Sequence, residues 1–281
     1  METRYITRKS MEAFAAQLTE EERSRATIEK YLRDVRQFAQ WLMGRPVTKR
    51  AVAAWKEALL TQGCACATVN GKLTALDRFL CWRGWNECRV KHLKLQRKLF
   101  REPERELSQT EYERLVETAF ARGASRTGIL METLCATGIR VSELKFITVE
   151  AVRQGKAEIS LKGKIRTILI PGKLCRKLSK YAQKQKIASG EIFLTKSGKG
   201  MTRQQIWAEM KAVCRAAGVE RSKVFPHNLR HLFARAFYKA CRDVARLADV
   251  LGHSSIETTR IYLISTGAEH AKTLNQLRLV T

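Results

Sequence analysis

No stretch of this sequence approaches the roughly 20 consecutive apolar residues that cross a bilayer, which excludes a membrane-spanning helix from the reading. The opening residues, Met1 to Tyr5, lack the form of a secretory signal. Acidic residues are scarce: 27 Asp and Glu stand against 53 Lys and Arg, a formal charge of +26 over 281 residues. A folded chain this positive repels itself unless it works beside a polyanion, and nucleic acid is the usual one. Hydrophobic residues make up 44%, so the chain can bury proper cores and is not a disordered basic tail.

Other signals are missing too. No Asp/Glu cluster has metal-ligand spacing, and no Gly-x-x-x-x-Gly-Lys loop could cradle a nucleotide phosphate, so no cofactor is expected. The eight cysteines form no C-x-x-C pair. Cys64 and Cys66 have no second pair to complete a zinc site, and reduced, buried thiols of a cytosolic protein are the expectation for the set. No internal repeat or low-complexity segment is present.

What is there reads first as helix. Ile28, Tyr31, Leu32, Val35, Phe38, Ala39 and Leu42 recur at helical spacing, with Arg25, Lys30, Arg33 and Arg36 between them. Val52, Trp55 and Leu59 mark a further helix, and Val69, Leu73, Leu76, Phe79 and Leu80 another. With a segment around Met11 to Leu18 they make a small basic bundle over residues 1–98, in which Lys72 and Arg78 are candidate DNA contacts. Residues 99–107, charged and holding Pro103, suit an exposed linker. Ser108 with Glu111 is a capping box that opens a second domain, 108–281. That domain mixes elements: a helix over Thr127 to Ala136 stopped at Gly138, then a hairpin of Glu158–Leu161 and Ile165–Ile170 split by Lys162-Gly163-Lys164. Helices follow near 173–188, 202–217, 228–241 and 243–250. Ser254 with Glu257 is read as the cap of a last helix leading to Tyr262. The fold class is mainly α: a helical N-terminal bundle plus a larger, mostly helical domain with a small antiparallel sheet.

Three short blocks could carry chemistry: Gly138-Ile-Arg140 with Glu143, His227-Asn-Leu-Arg230, and Leu251-Gly-His253 with Tyr262 nine residues on. Alone, each has an ordinary explanation, since an Arg after Gly is usually a solvated charge and a tyrosine near a chain end is usually packing. Their conjunction resembles the tyrosine recombinase (phage integrase) family, of the simple two-domain kind, over the whole second domain. The family pattern is a Gly-x-Arg arginine, a hairpin lysine, His-x-x-Arg, Leu-Gly-His and a tyrosine about nine residues later. Here those positions are Arg140, Lys162 or Lys164, His227 with Arg230, His253, and Tyr262. Lys162, which matches the family's Lys-Gly turn, is the favoured position, with Lys164, slightly better placed by distance from Arg140, as the alternative. Leu232 departs from the family's small hydroxyl residue.

The resemblance implies a DNA-breaking and rejoining enzyme working through a 3′-phosphotyrosyl intermediate without metal or ATP. It further implies proton transfer by His227, phosphate contact by His253, and a core-binding role for the helical bundle. Implied partners are double-stranded DNA with specific sites and further copies of the chain. Leu274, Leu277, Leu279 and Val280 would form a tail helix inserted into a neighbour of a tetramer on DNA. The expected location is cytoplasmic, at the nucleoid. Rival readings are a type IB topoisomerase-like enzyme and a non-catalytic DNA-binding protein on the same fold.

The chemistry stands without the family. Attack on a phosphodiester adds negative charge, and two guanidiniums bind phosphate oxygens bidentately while staying protonated. Tyrosine, with an ordinary pKa of about 10, needs a base or a positive pocket to act as a nucleophile. A hairpin lysine can protonate the leaving 5′-oxygen, and Glu143 either orients an active-site cation or lies on the surface. On a straight helix capped at Ser254, Tyr262 would lie about 12 Å from the cap and out of direct contact with His253. Unless the helix breaks, both face one phosphate from different sides, the tyrosine helix shifts, or Tyr262 is donated to another subunit.

Overall fold

A computed structural model of the protein describes residues 4–95, 103–161, 164–262 and 275–276. The chain divides into two compact units, Met1–Arg97 and Lys98–Thr281.

The first unit is four helices: α1 (Arg8–Glu20), α2 (Arg25–Leu42), α3 (Lys49–Thr61) and α4 (Cys66–Trp82). Thr7, Ser24 and Thr48 cap the first three, each accepting a backbone N–H that the helix start leaves without a partner. Val52, Trp55 and Leu59 of α3, three and four residues apart, enter the core beside Val35, Phe38 and Leu42 of α2. Aromatic contacts join the helices: Phe14 meets Phe79 edge-on at 5.2 Å, and Phe38 meets Trp55 at 5.0 Å. Each such side chain, fully buried, contributes on the order of 2–3 kcal/mol against entropy. Asp34 is buried but paired with Lys30 at 2.9 Å, so its charge has a partner.

In the second unit, residues 103–107 lead into its first helix. Arg105 O accepts from Asn228 Nδ2 at 2.9 Å, and Leu107 lies in the core, while Glu104 and Arg105 are exposed. Ser108 and Glu111 form the expected capping box at the start of α5 (Gln109–Ala121). Helix α6 (Ser125–Thr137) follows, then a 3-10 turn over Val141–Phe146 and α7 (Val149–Gln154). Strands β1 (Lys156–Leu161) and β2 (Lys164–Leu169) pair antiparallel, with Ile159 opposite Arg166 and Ala157 opposite Ile168. Helices α8 (Gly172–Lys184), α9 (Arg203–Cys214), α10 (Pro226–Cys241), α11 (Val244–Leu251) and α12 (Ile256–Arg260) complete the unit. Buried along nearly its whole length, α6 packs against α5, α8, α9 and α10 and forms the centre of the domain.

The cysteine expectation needs correction. All eight are free, but only Cys88 and Cys214 are buried, while Cys66 and Cys81 are exposed on the two ends of α4. A cysteine on the outer face of an amphipathic helix is not drawn into the core by its neighbours. Among the described residues no helix is long and apolar enough to cross a membrane, and no three His, Cys, Asp or Glu side chains gather as metal ligands.

Candidate active site

Four neighbouring helices fix the end of α6, and that end delivers the first arginine. Gly138 closes the helix in the left-handed region at φ 62°. A Cβ there would collide with the Phe233 ring of α10, so conformation and space both require glycine. Arg140 then opens the 3-10 turn. Glu143, inside that turn, is buried. Its carboxylate accepts the Arg140 N–H at 2.8 Å and Arg140 Nη1 at 2.9 Å, and pairs with Arg166 Nη2 from β2. Burial pushes the Glu143 carboxyl up, but the Arg140 N–H and the guanidiniums of Arg166 and Arg140 outweigh it and hold the group below the usual carboxylate range. The Arg140 side chain, 44% exposed, keeps an open face toward solvent.

Helix α10 supplies the second cluster. Pro226 at its first position has no N–H to leave unbonded and a φ preset for helix. His227, Arg230 and His231 are three and four residues apart and share a face. Arg230, only 2% exposed, donates to Gly138 O, to Leu251 O at 2.8 Å and to His253 Nε2 at 2.9 Å. These bonds lock the guanidinium between the ends of α6 and α11. Burial lowers the Arg230 pKa, contact with the Tyr262 hydroxyl opposes this, and Arg140 adds to the lowering. His227 is held below the usual histidine range, by burial first and then by Arg230 and Arg140.

The third cluster follows α11. Gly252 ends that helix at φ 64°, and a Cβ on it would strike the Arg166 side chain. The last helix is shorter than the sequence suggests, and its cap is Ser255, which accepts the Glu257 N–H at 3.2 Å, rather than Ser254. Only five residues long, it ends before the tyrosine, and Tyr262 sits in the following turn with its N–H on Thr259 O at 3.0 Å. The straight-helix separation of Tyr262 from His253 is therefore overturned. Their rings lie nearly parallel, 11° apart in plane, with centroids at 5.8 Å. The cause is local: Thr259 is fully buried and its hydroxyl meets His253 Nδ1 at 2.8 Å, which draws the short helix back onto the loop before it.

Arg140, His227, Arg230, His253 and Tyr262 thus line a single cavity of about 740 Å³. Trp207, Phe225 and Ile261 also line it, with Arg203 and Gln204. Behind the tyrosine, His231 stands edge-on to the Tyr262 ring at 4.5 Å and to His227 at 4.5 Å. Burial, followed by neighbouring positive groups, pulls both His231 and His253 down to about 4. The pocket therefore presents guanidinium charge and neutral imidazoles to one buried phenol. Such a set can hold an anionic phosphate, take up a phenolic proton and stabilise added negative charge.

Lys162 lies outside the described residues, as does the side chain of Lys164, and so do Leu274, Leu277, Leu279 and Val280. Lys72 and Arg78 belong to the first unit, where Lys72 reaches Gln37 and Arg78 pairs with Glu21, each tying α4 to another part of its own bundle. Reading the sequence missed Arg166, His231 and Thr259 as parts of the pocket's frame. Arg166 was detectable: it alternates with the buried Ile168 on β2 and with Ile170 just beyond it, a face where an arginine needs a partner.

A model of the phage integrase family matches residues 105–269, and a model of the phage integrase N-terminal SAM-like domain matches residues 11–87. Tyrosine recombinase XerA of Pyrococcus furiosus is 29% identical over 271 residues, covering 93% of this chain and 91% of that protein. Tyrosine recombinase XerC of Roseiflexus castenholzii is 31% identical over 276 residues, covering 90% and 87%. Among solved structures, a lambda integrase dimer bound to a COC′ core site aligns with a TM-score of 0.73 at 18% identity, covering 92% of this chain and 77% of that one. XerH site-specific recombinase bound to difH substrate aligns at 0.69 and 19% identity, covering 95% and 84%. At those identities the structural likeness speaks to the fold alone.

Proposed function

This chain belongs to the phage integrase family of tyrosine recombinases, and from that premise we propose that its site-specific DNA recombination runs through Tyr262. The phenol oxygen attacks the scissile phosphorus, a tyrosyl 3′-phosphate forms, and the 5′-oxygen leaves with a proton. Reversal by a 5′-hydroxyl from another strand rejoins the backbone. Because the phosphotyrosine keeps the energy of the broken ester, neither step draws on a nucleotide. Arg140 and Arg230 hold the non-bridging oxygens, where the loss of one donor to developing charge costs about 10²–10³-fold in rate. His227, neutral at pH 7, takes the phenolic proton, and His253 contacts the phosphate. A hairpin lysine, Lys162 or Lys164, protonates the leaving oxygen. Glu143 keeps Arg140 oriented.

One observation carries this reading: three separate segments bring two arginines, two histidines and one phenol to a single cavity. The partner is double-stranded DNA, and the working form is a set of copies on paired sites, a tetramer joined through the C-terminal residues. Support for assembly comes from a relative solved as a dimer on its core site and from the apolar Leu274, Leu277, Leu279 and Val280. Both units would contact the duplex, the first as the core-binding module, with Lys72 and Arg78 as candidate contacts.

The test is a suicide substrate nicked beside the cleavage point. Wild type is expected to trap as a covalent protein–DNA adduct, and Tyr262→Phe to give none. An adduct that persists in Tyr262→Phe, or its absence from wild type on the chain's own site, would refute the assignment.

A further inference from the structure

Arg230 and Thr259 together fix where the proton of His253 resides. A guanidinium can only donate, so the 2.9 Å contact of Arg230 Nη2 with His253 Nε2 makes that nitrogen an acceptor. The neutral ring then carries its hydrogen on Nδ1, aimed at Thr259 Oγ1 at 2.8 Å. A phosphodiester offers acceptors only. For His253 to meet one, the same Nε2 must instead present an N–H.

The partner at Nδ1 decides whether this exchange is possible. A backbone carbonyl or a carboxylate there would accept a hydrogen and hold the ring in one form. A threonine hydroxyl accepts or donates by rotating about a single bond. It serves both ring states: accepting from Nδ1–H while Arg230 occupies Nε2, and donating to bare Nδ1 once Nε2–H faces the substrate. In that exchange one proton leaves Nδ1 and one arrives at Nε2 by way of solvent, so the ring's charge is unchanged. Thr259 is 0% exposed, and its carbonyl accepts the Tyr262 N–H at 3.0 Å. The same residue thus anchors both the histidine and the turn that bears the phenol.

We propose that the Thr259 hydroxyl is a positioning group for the reaction, holding His253 in register and allowing it to exchange an acceptor Nε2 for a donor when a phosphate enters. The proposal rests on the reading of His253 as a phosphate contact. Its test compares wild type, Thr259→Val and Thr259→Ser in adduct formation on the suicide substrate, with DNA affinity measured separately. Thr259→Val, equal in shape but without the hydroxyl, is expected to slow adduct formation about ten-fold with affinity within about two-fold of wild type, while Thr259→Ser returns to within about two-fold of the wild-type rate. A valine variant as fast as wild type overturns the proposal. So does a serine variant as slow as valine, because packing rather than the hydroxyl would then be responsible. Nitrogen-15 spectra of His253 in the free protein give a readout independent of activity. Protonation at Nδ1 is expected in wild type and in Thr259→Ser, and protonation at Nε2 instead overturns the idea. Were wild type to form no adduct at all, the functional reading would fall, and these spectra alone would decide the hydroxyl's role.

Discussion

His231 and His253 sit beside the tyrosine as neutral rings because burial and nearby positive charge hold them down to about 4, where an unhindered histidine titrates near 6.5. This has a consequence for stability. Above pH 6.5 both the folded and unfolded chains leave these rings unprotonated, and the full stability is present. As the pH falls from about 6.5 toward 4, the unfolded chain binds protons that the folded chain refuses, so stability declines across that window. The unfolding temperature is therefore expected to drop between about pH 7 and pH 5 in wild type, and less steeply in His231→Gln. Identical slopes for the two proteins would show that His231 is not responsible. At this scale the sequence singled out Arg140, His227, Arg230, His253 and Tyr262, which the fold gathers in one cavity, because they form blocks with fixed spacing. His231 meets the phenol ring edge-on, a contact that depends on α12 folding back and that no local pattern records. Thr259 was hidden for the same reason.

Among the elements, the capping box of α5, the glycine stop of α6 and the hairpin were legible, since turn and cap chemistry is local. The cap and length of α12 were not. Ser254 and Ser255 are both good capping residues, and the choice between them follows from the Thr259–His253 bond rather than from propensity. Gly252 links two elements in a way that can be tested. Its positive φ and its closeness to the Arg166 side chain let α11 end against β2, where Arg166 also donates to Val250 O at 3.2 Å. Gly252→Ala is expected to destabilise the fold by more than about 1 kcal/mol in urea unfolding, with the arginine pushed off Glu143. A variant as stable as wild type would mean that Arg166 moves aside without loss.

Across the whole molecule, the surplus of positive charge pointed to a polyanionic partner before any motif was considered, and two units follow the division between a wholly helical stretch and a mixed one. The parallel stacking of the Tyr262 ring on His253 carries a further meaning, because both belong to one polypeptide. Arg140, His227, Arg230, His253 and Tyr262 line one cavity of a single copy, so two broken copies are expected not to mend one another. A mixture of Tyr262→Phe and Arg230→Ala chains on a shared DNA site is expected to cut no better than either alone, as gels of cleaved strands would reveal. Restored cutting in the mixture would mean that the blade is lent between neighbours.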